Sequence, residues 1–182
     1  MLALILRYGL LAGVIVAAPM LWQMLTNGNI EGGYFLGYLM MLVALSAVFF
    51  GVKQYRDKHQ GGVIRFGKAF FVGLGISSVA CVIYVIGWEI SLAFAKTDFV
   101  AVYSKAMMDS ARAKDPSPEA MAAAAAQVDS FVKIYANPVL RVLMTFIEMF
   151  PVGLLVSLIT AGILRNPRVL PARAPAAQRP SA

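Results

Sequence analysis

Residues 138–164 read PVLRVLMTFIEMFPVGLLVSLITAGIL, and Arg141 and Glu148 are the only charged side chains among them. A helix needs about 20 mostly apolar residues to cross the hydrocarbon core of a bilayer. This stretch is longer than that, so it predicts a membrane-spanning helix. Its two charges and its internal proline, Pro151, are unusual for such a helix and mark it as the first place to look for a functional site.

Three more apolar runs of sufficient length lie at about residues 3–25, 33–52 and 66–94. Of the 182 residues, 60% are hydrophobic and 14% are charged, and the mean hydropathy is +0.74. An average soluble domain has about 25% charged residues. The sequence therefore predicts an all-α fold: an integral membrane four-helix bundle that forms a single domain over residues 1–165.

The first run differs from a cleaved signal peptide in two respects. Arg7 interrupts the apolar residues instead of preceding them, and the small-residue sequence VAAP would place Pro19 directly after the cut. Both are poor contexts for signal cleavage. We expect this run to be a permanent helix.

Positive charges are concentrated at three places. Residues 53–68 carry five Lys or Arg side chains against one acid, residues 165–182 carry four Arg and no acid, and Arg7 lies near the N-terminus. An excess of Lys and Arg marks cytoplasmic segments, so four spans with both termini cytoplasmic are predicted. This distribution accounts for the net charge of +7. It lacks interleaved aromatic residues for base stacking, so nucleic acid is not expected as a partner.

Residues 166–182 are rich in Pro, Ala and Arg, a composition that predicts a disordered basic tail.

Residues 95–137, between the third and fourth spans, carry five basic and five acidic side chains. Two helices are predicted there, at about 99–113 and 118–136. Asp98 is a candidate N-cap of the first, and Ser117 of the second, with Pro118 at its first position. The result would be a helical hairpin on the exterior side of the membrane. It is either a packed cap over the bundle or a substrate-binding lid.

Each predicted span carries small residues about four positions apart, which allow helix backbones to approach closely in lipid. The residues are Gly9, Gly13 and Ala17; Gly33, Gly37, Ala44 and Gly51; Gly73, Ser77, Ala80 and Gly87; and Gly153, Ser157 and Ala161. These faces either pack the bundle together or bind a second copy or another membrane protein. The lipid bilayer itself is the first expected partner.

Three charged residues lie within predicted spans near the outer side of the membrane: Glu89, Arg141 and Glu148. Glu89 follows Phe66 by 23 residues, or about 34 Å of helix, which places it at the outer interface. Arg141 is one turn inside Pro138 and lies at a similar depth. The two side chains are therefore candidates for a structural ion pair between the third and fourth helices.

Glu148 lies deeper, about 10 Å below Arg141 along the helix. Arg141 leans toward the helix N-terminus and away from it. Tyr84 of the third helix passes at the same depth, and its hydroxyl is a candidate hydrogen-bond partner for the carboxyl group. Glu148 is thus either a proton- or cation-handling group or a neutral, hydrogen-bonded acid that fixes helix register. Pro151 removes the hydrogen bond to the carbonyl of Ile147, which either kinks the helix or shapes a small polar pocket.

Motifs of soluble enzymes are absent from the sequence, which has no phosphate-binding glycine loop, HExxH, CxxC or Ser/His/Asp set. Cys81, the single cysteine, lies in an apolar run, and His59, the single histidine, lies in a polar connection without Cys or His neighbours. We expect no enzymatic activity, no cofactor and no metal site. These residues identify no small-molecule ligand.

The chain resembles a known family in six segments spaced along it. They are RYGLLAGVI, GYLMMLVALSAVFFGVKQYRD, GGVIRFGKAFFVGLG, YVIGWE, DFVAVYSKAM and YANPVLRVLMTFIEMFPVGLLVSLITAGILR. They are similar to the bacterial membrane family catalogued as domain of unknown function 4199, up to about Arg165. The resemblance implies a four-span protein of the bacterial inner membrane and supplies no activity.

Two functional hypotheses follow. The first is a non-enzymatic membrane protein that acts through assembly or protein interaction. The alternative is a small oligomeric transporter or channel subunit that uses Glu148 as a proton or cation site.

Overall fold

A computed structural model describes residues 1–25, 33–95 and 98–172 of the chain. These residues form six helices and no strand. The helices are α1 (Leu2–Leu25), α2 (Gly33–His59), α3 (Phe66–Phe94), α4 (Phe99–Lys114), α5 (Pro118–Ala136) and α6 (Pro138–Leu164). The predicted turn between the first two spans lies outside the described residues, apart from Gly33.

Four of the described helices are long and apolar enough to cross a membrane. They are α1, α2, α3 and α6, over Leu2–Trp22, Gly37–His59, Phe66–Phe94 and Pro138–Leu164. The predicted all-helical class with four candidate spans is confirmed.

Helices α1 and α3 run parallel and pack through small residues. A Cβ atom added to Gly13 would lie 2.5 Å from the Cβ of Ile83, and one added to Gly87 would lie 2.9 Å from the Cβ of Ala17. Positions four apart on α1 therefore meet positions four apart on α3, in the same order. A side chain at either glycine would force the two helices apart.

Helices α3 and α6 run antiparallel and meet through small polar residues. The Ser77 hydroxyl donates to the carbonyl of Gly153 (3.2 Å) and lies 3.1 Å from the Ser157 hydroxyl. The Ser157 hydroxyl also donates to the Gly153 carbonyl, at 2.7 Å. The Ser77 and Ser157 side chains are fully buried. Their hydrogen bonds offset the free-energy cost of moving a hydroxyl group out of water into apolar surroundings.

Helix α2 completes the bundle and contacts α1, α3 and α6. Its buried side chains include Leu45, Val48 and Val52, which join Ile76 of α3 and Met149 of α6 in the core. The bundle thus has two ends. We name the end where α1 and α3 begin and α2 and α6 terminate the basic end, and the opposite end the hairpin end.

Helix α2 extends to His59, whereas the sequence predicted the span to end at about Val52. An ion pair between Lys53 and Asp57, one helical turn apart, supports the added residues. The helix stops where Gly61 and Gly62 adopt positive φ values of 61° and 86°. Such angles favour glycine at a helix C-terminus.

The predicted caps of α4 and α5 are confirmed. The Asp98 carboxylate accepts from the backbone N–H of Ala101 (3.1 Å), and the Ser117 hydroxyl accepts from that of Ala120 (3.3 Å). In the connection, the backbone N–H of Ser117 donates to Asp115 and lowers the pKa of that carboxyl group. Helices α4 and α5 pack against each other, and we call the two together the α4–α5 pair.

Candidate functional site

The antiparallel register of α3 and α6 brings together the charged and tyrosine residues that the sequence analysis selected. With Ser77 against Gly153, each residue toward the C-terminus of α3 meets a residue closer to the start of α6. Tyr84 consequently lies at the level of Glu148, and Glu89 bonds to Arg141. One continuous helix interface therefore positions all four side chains at the hairpin end.

Arg141 and Glu89 form a two-pronged ion pair. The Arg141 Nε donates to Glu89 Oε1 at 2.8 Å, and Nη2 donates to Glu89 Oε2. The Arg141 side chain is 22% exposed and the Glu89 side chain is 30% exposed, so the ion pair is partly buried. A planar guanidinium suits this bidentate geometry, which a lysine could not reproduce.

The same guanidinium also anchors the end of α5. Its Nη1 donates to the backbone carbonyl of Tyr135 at 2.9 Å. All three nitrogen atoms of the guanidinium are therefore engaged by described partners. The charge of Arg141 is used within the structure and is not available to Glu148.

An aromatic cluster packs beside this ion pair and connects the α4–α5 pair with α3. Its rings belong to Trp88, Phe99, Tyr103, Phe131 and Tyr135, with centroid separations of 4.4–6.5 Å. Trp88 meets Phe99 edge to face at 4.9 Å. The indole nitrogen of Trp88 is buried beside the Tyr135 side chain, without a hydrogen bond of normal geometry to any described residue.

Tyr135 interacts electrostatically with Glu148 as well as with the Arg141–Glu89 ion pair. Burial raises the pKa of its hydroxyl to about 12, and the nearby Glu148 carboxyl contributes to the increase. The hydroxyl group is therefore protonated at neutral pH and can donate a hydrogen bond.

Glu148 lies on the open side of α6, and the register of α3 and α6 places it at the level of Tyr84. Glu148 is exposed, whereas Tyr84 is only 8% exposed and closes the inner side of the site. Tyr38 of α2 lies within electrostatic range of the Tyr84 hydroxyl, as does Tyr135. We call Glu148, Tyr84, Tyr38 and Tyr135 the carboxyl site.

The carboxyl site opens toward the outside of the bundle. Tyr38 is about half exposed, and a Cβ atom added to Gly37 would meet no atom within 4 Å. Ile147 and Met144 on α6 are also exposed. One turn deeper on α2, Met41 is buried.

Pro151 lies on the exposed side of α6, one turn beyond Ile147. The helix continues through it to Leu164. Proline lacks the N–H group that would donate to the Ile147 carbonyl, so this acceptor is left without its usual intrahelical partner. The carbonyl belongs to the residue that precedes Glu148.

A second polar cluster lies at the basic end and was not predicted from the sequence. Arg56 is completely buried there, and its side chain bonds to Asp57 at 2.8 Å. Its Nη1 donates to the carbonyl of Val169 at 2.9 Å, and its Nη2 donates to that of Leu170. Leu170 has a positive φ of 49°, which is uncommon for a residue with a branched side chain.

This contact changes the description of the C-terminal tail. The sequence predicted that residues 166–182 are disordered; of these, residues 166–172 are described, and Arg56 of α2 donates to the carbonyl groups of Val169 and Leu170. Residues 173–182 lie outside the described residues. The composition of the tail gave no indication of this contact, which depends on a partner more than 100 positions earlier.

The chain was compared with known proteins. A family model described as protein of unknown function (DUF4199) matches residues 7–166. The chain belongs to this family. The match covers most of the first candidate span, the other three spans, the α4–α5 pair and Arg56, but not Val169 and Leu170, and the family description assigns no activity to them. No curated protein and no solved structure matches the chain.

Proposed function

We propose that this DUF4199 protein is a non-enzymatic protein of a bacterial inner membrane that acts by assembling with other membrane proteins. The α4–α5 pair is the observation that supports this most. Over the length of both helices, Ala124 is the only buried residue. Exposed apolar side chains such as Val102 and Val132 remain on its surface. An exposed apolar surface on a helical pair is suited to protein interaction.

The small-residue faces pack the helices of the bundle against one another and are not the proposed assembly surface. Gly9, Gly13, Gly73 and Gly153 each face a neighbouring helix within the bundle. A second copy could reach these faces only if the bundle opened. The proposed assembly surface is therefore the α4–α5 pair, projecting on the exterior side of the membrane.

Charge supports the proposed orientation, with both termini in the cytoplasm. The basic end carries exposed Lys58, Arg65, Lys68, Arg165 and Arg168. Lys and Arg at short membrane-flanking segments are retained on the cytoplasmic side. The α4–α5 pair then lies on the opposite, periplasmic side.

Site-specific photo-crosslinking tests the assembly proposal. A photoreactive amino acid replaces Val102 on α4 in one variant and Val82 on α3 in a matched control. Both valines are slightly more than half exposed, but only Val82 lies within a span. We expect crosslinks of discrete mass to one protein from position 102 and lipid adducts alone from position 82. Identical lipid or solvent adducts at both positions would contradict the proposal.

A second candidate function is a small oligomeric transporter or channel subunit in which Glu148 is a proton or cation site. The supporting observation is that no described Lys, Arg or His pairs with this exposed carboxyl group. A carboxyl group inside a span requires a proton or another cation to reduce the cost of its charge.

Flux through proteoliposomes tests this candidate. Glu148→Gln keeps the size and hydrogen bonding of the side chain but removes ionisation. We expect cation-dependent flux in the native protein and its loss in Glu148→Gln. Asp109→Asn, which removes an exposed carboxylate of α4, serves as the control and should leave flux unchanged. Equal flux in native protein and Glu148→Gln would rule Glu148 out as the ion site.

A further inference from the structure

We propose that the basic end binds the phosphate group of an anionic phospholipid. The binding surface consists of Arg65, Arg165 and Arg168, with Lys68 one turn along α3, and we call these four residues the basic patch. The proposal goes beyond the assembly function, because it concerns the end of the bundle opposite the α4–α5 pair. It also holds for either orientation of the chain in the membrane.

The antiparallel register of α3 and α6 places two arginines at the same level. A Cβ atom added to Gly73 would lie 3.2 Å from the Cβ of Ser157. The ion pair at the hairpin end, 16 residues further along α3 and 16 residues earlier on α6, keeps the same register. Eight residues in the other direction lead from Gly73 to Arg65 and from Ser157 to Arg165. The two arginines therefore lie at one level, where α3 begins and α6 ends.

The C-terminal segment brings a third arginine, Arg168, to this end. The carbonyls of the two residues that follow it are bonded to Arg56 of α2. A Cβ atom added to Gly62, in the connection between α2 and α3, would lie 3.3 Å from the Cβ of Ala172. The segment thus runs from the end of α6 to the connection that leads into Arg65. Arg168 lies on this path.

The basic patch has no negative partner among the described residues. Asp57, the one acidic side chain described at this end, is bonded to Lys53 at 2.5 Å and to Arg56 at 2.8 Å. The described ion pairs include no member of the basic patch, and all four members are exposed. Lys68 lies over the ring of Tyr55, at 5.9 Å. Because like charges repel one another, an anion bound among them lowers the electrostatic energy.

Depth and the neighbouring side chains favour a lipid as the source of that anion. The third candidate span begins at Phe66 and the fourth ends at Leu164, so Arg65 and Arg165 directly flank the hydrocarbon core. Phospholipid headgroups lie at this level. Phe66 and Ile163 are exposed and apolar, and an acyl chain can contact them while the phosphate oxygens accept from the guanidinium groups. Basic clusters between helices at the membrane surface suit anionic headgroups.

Native mass spectrometry of the full chain in detergent tests the ligand. Phosphatidylglycerol is the anionic probe, and phosphatidylcholine is the zwitterionic comparison. We expect the native protein to retain phosphatidylglycerol more strongly than phosphatidylcholine. A basic residue near an anionic lipid contributes about fivefold to binding, so the double variant Arg65→Gln/Arg165→Gln should retain phosphatidylglycerol about twentyfold more weakly.

The double variant Lys105→Gln/Arg112→Gln is the matched control. It also removes two exposed cations, but from α4 at the opposite end, and should match the native protein. Arg168→Gln changes an exposed side chain outside the helices. It should lower retention about fivefold, and it tests the patch even where the double variant is unstable. Retention by the native protein should also fall as the concentration of ammonium acetate rises, because salt screens exposed charges.

Three results would overturn the proposal. Equal retention of the two lipids by the native protein would show that the basic end does not select anionic headgroups. An equal loss in the α4 control would show that total charge, and not the basic patch, determines retention. Displacement of phosphatidylglycerol by added ammonium phosphate would identify a soluble anion in place of a lipid.

Discussion

Arg141 is the residue that joins three helices at the hairpin end. It lies on α6, bonds to Glu89 on α3 through two nitrogen atoms, and bonds to the last turn of α5 through the third. Because both charged side chains are partly exposed, their pairing should contribute less than a fully buried ion pair and more than one on the surface.

We predict that Arg141→Gln lowers the free energy of unfolding by about 2 kcal/mol, since it leaves the Glu89 carboxylate unpaired. Glu89→Gln should cost less, because Arg141 keeps its bond to the Tyr135 carbonyl. Thermal unfolding in detergent, followed by tryptophan fluorescence, measures both changes. Lys133→Gln is the control, because it breaks a highly exposed ion pair with Asp129. An equal effect of all three substitutions would contradict this account.

The pairs within the candidate site could be predicted from residue counting, and its surroundings could not. Depth along two antiparallel helices is set by 1.5 Å per residue, which is why Glu89 with Arg141 and Tyr84 with Glu148 were identified as candidate pairs. Tyr135 and Tyr38 reach the same site only because of how α5 and α2 pack. Arg56 resembled an ordinary loop cation, since its burial depends on the path of the C-terminal segment.

At the level of helices, small residues determine which pairs of spans pack closely. Two glycines provide a direct comparison. A Cβ atom on Gly13 would lie 2.5 Å from the Cβ of Ile83, whereas one on Gly162 would meet no atom within 4 Å. The close contact involves a branch point of Ile83 next to the backbone, which cannot rotate away.

We predict that Gly13→Ala destabilises the bundle by about 1–3 kcal/mol, because α1 and α3 must move apart to admit the methyl group. Gly162→Ala should be neutral or stabilising by up to about 1 kcal/mol, because alanine is the better helix former. Midpoints of unfolding in detergent compare the two variants. A larger loss for Gly162→Ala would show that the α1–α3 register is incorrect.

The side chain of Arg56 on α2 helps to hold the C-terminal segment in place. Arg56 donates to two consecutive backbone carbonyls, those of Val169 and Leu170, and is also bonded to Asp57. Asp57 retains Lys53 as a partner if Arg56 is removed. A substitution at Arg56 therefore releases the segment without leaving a carboxylate unpaired.

We predict that Arg56→Gln increases trypsin cleavage after Arg168 by about tenfold or more, because cleavage follows the population of the released segment. The loss of two hydrogen bonds from a charged donor should also lower stability by about 3 kcal/mol. Lys58→Gln, an exposed position of the same helix, is the control. Unchanged cleavage in Arg56→Gln would mean that other contacts hold the segment.

The helices themselves were predictable because the hydropathy of a span is a property of its own residues. The starts of α4, α5 and α6 were likewise readable from Asp98, Ser117 and Pro138. The end of α2 could not be read from the sequence in this way. An apolar run ends where the charged residues begin, whereas the helix continues through the charged residues to His59. Its i, i+4 ion pair and the following glycines determine the actual end.

For the molecule as a whole, the helix directions and the charge distribution indicate the same orientation in the membrane. The parallel packing of α1 with α3 and the antiparallel packing of α3 with α6 place the start of α1 and the end of α6 at the same end of the bundle. That end also carries the exposed basic residues of α2, α3 and the C-terminal segment. The opposite end carries the α4–α5 pair, where described basic and acidic residues nearly balance.

We predict that the basic end is cytoplasmic, because translocating its clustered Lys and Arg residues would be unfavourable. Single cysteines at Lys114 and Lys58 report on the two ends, and the native Cys81 is fully buried and should remain silent. A membrane-impermeant maleimide should label Lys114→Cys in cells whose outer membrane alone has been opened. Lys58→Cys should react only after the inner membrane is permeabilised. Both substituted positions are exposed, so a difference in labelling reports on sidedness and not on burial. The reverse pattern would place the basic end outside and remove the argument for an exterior α4–α5 pair.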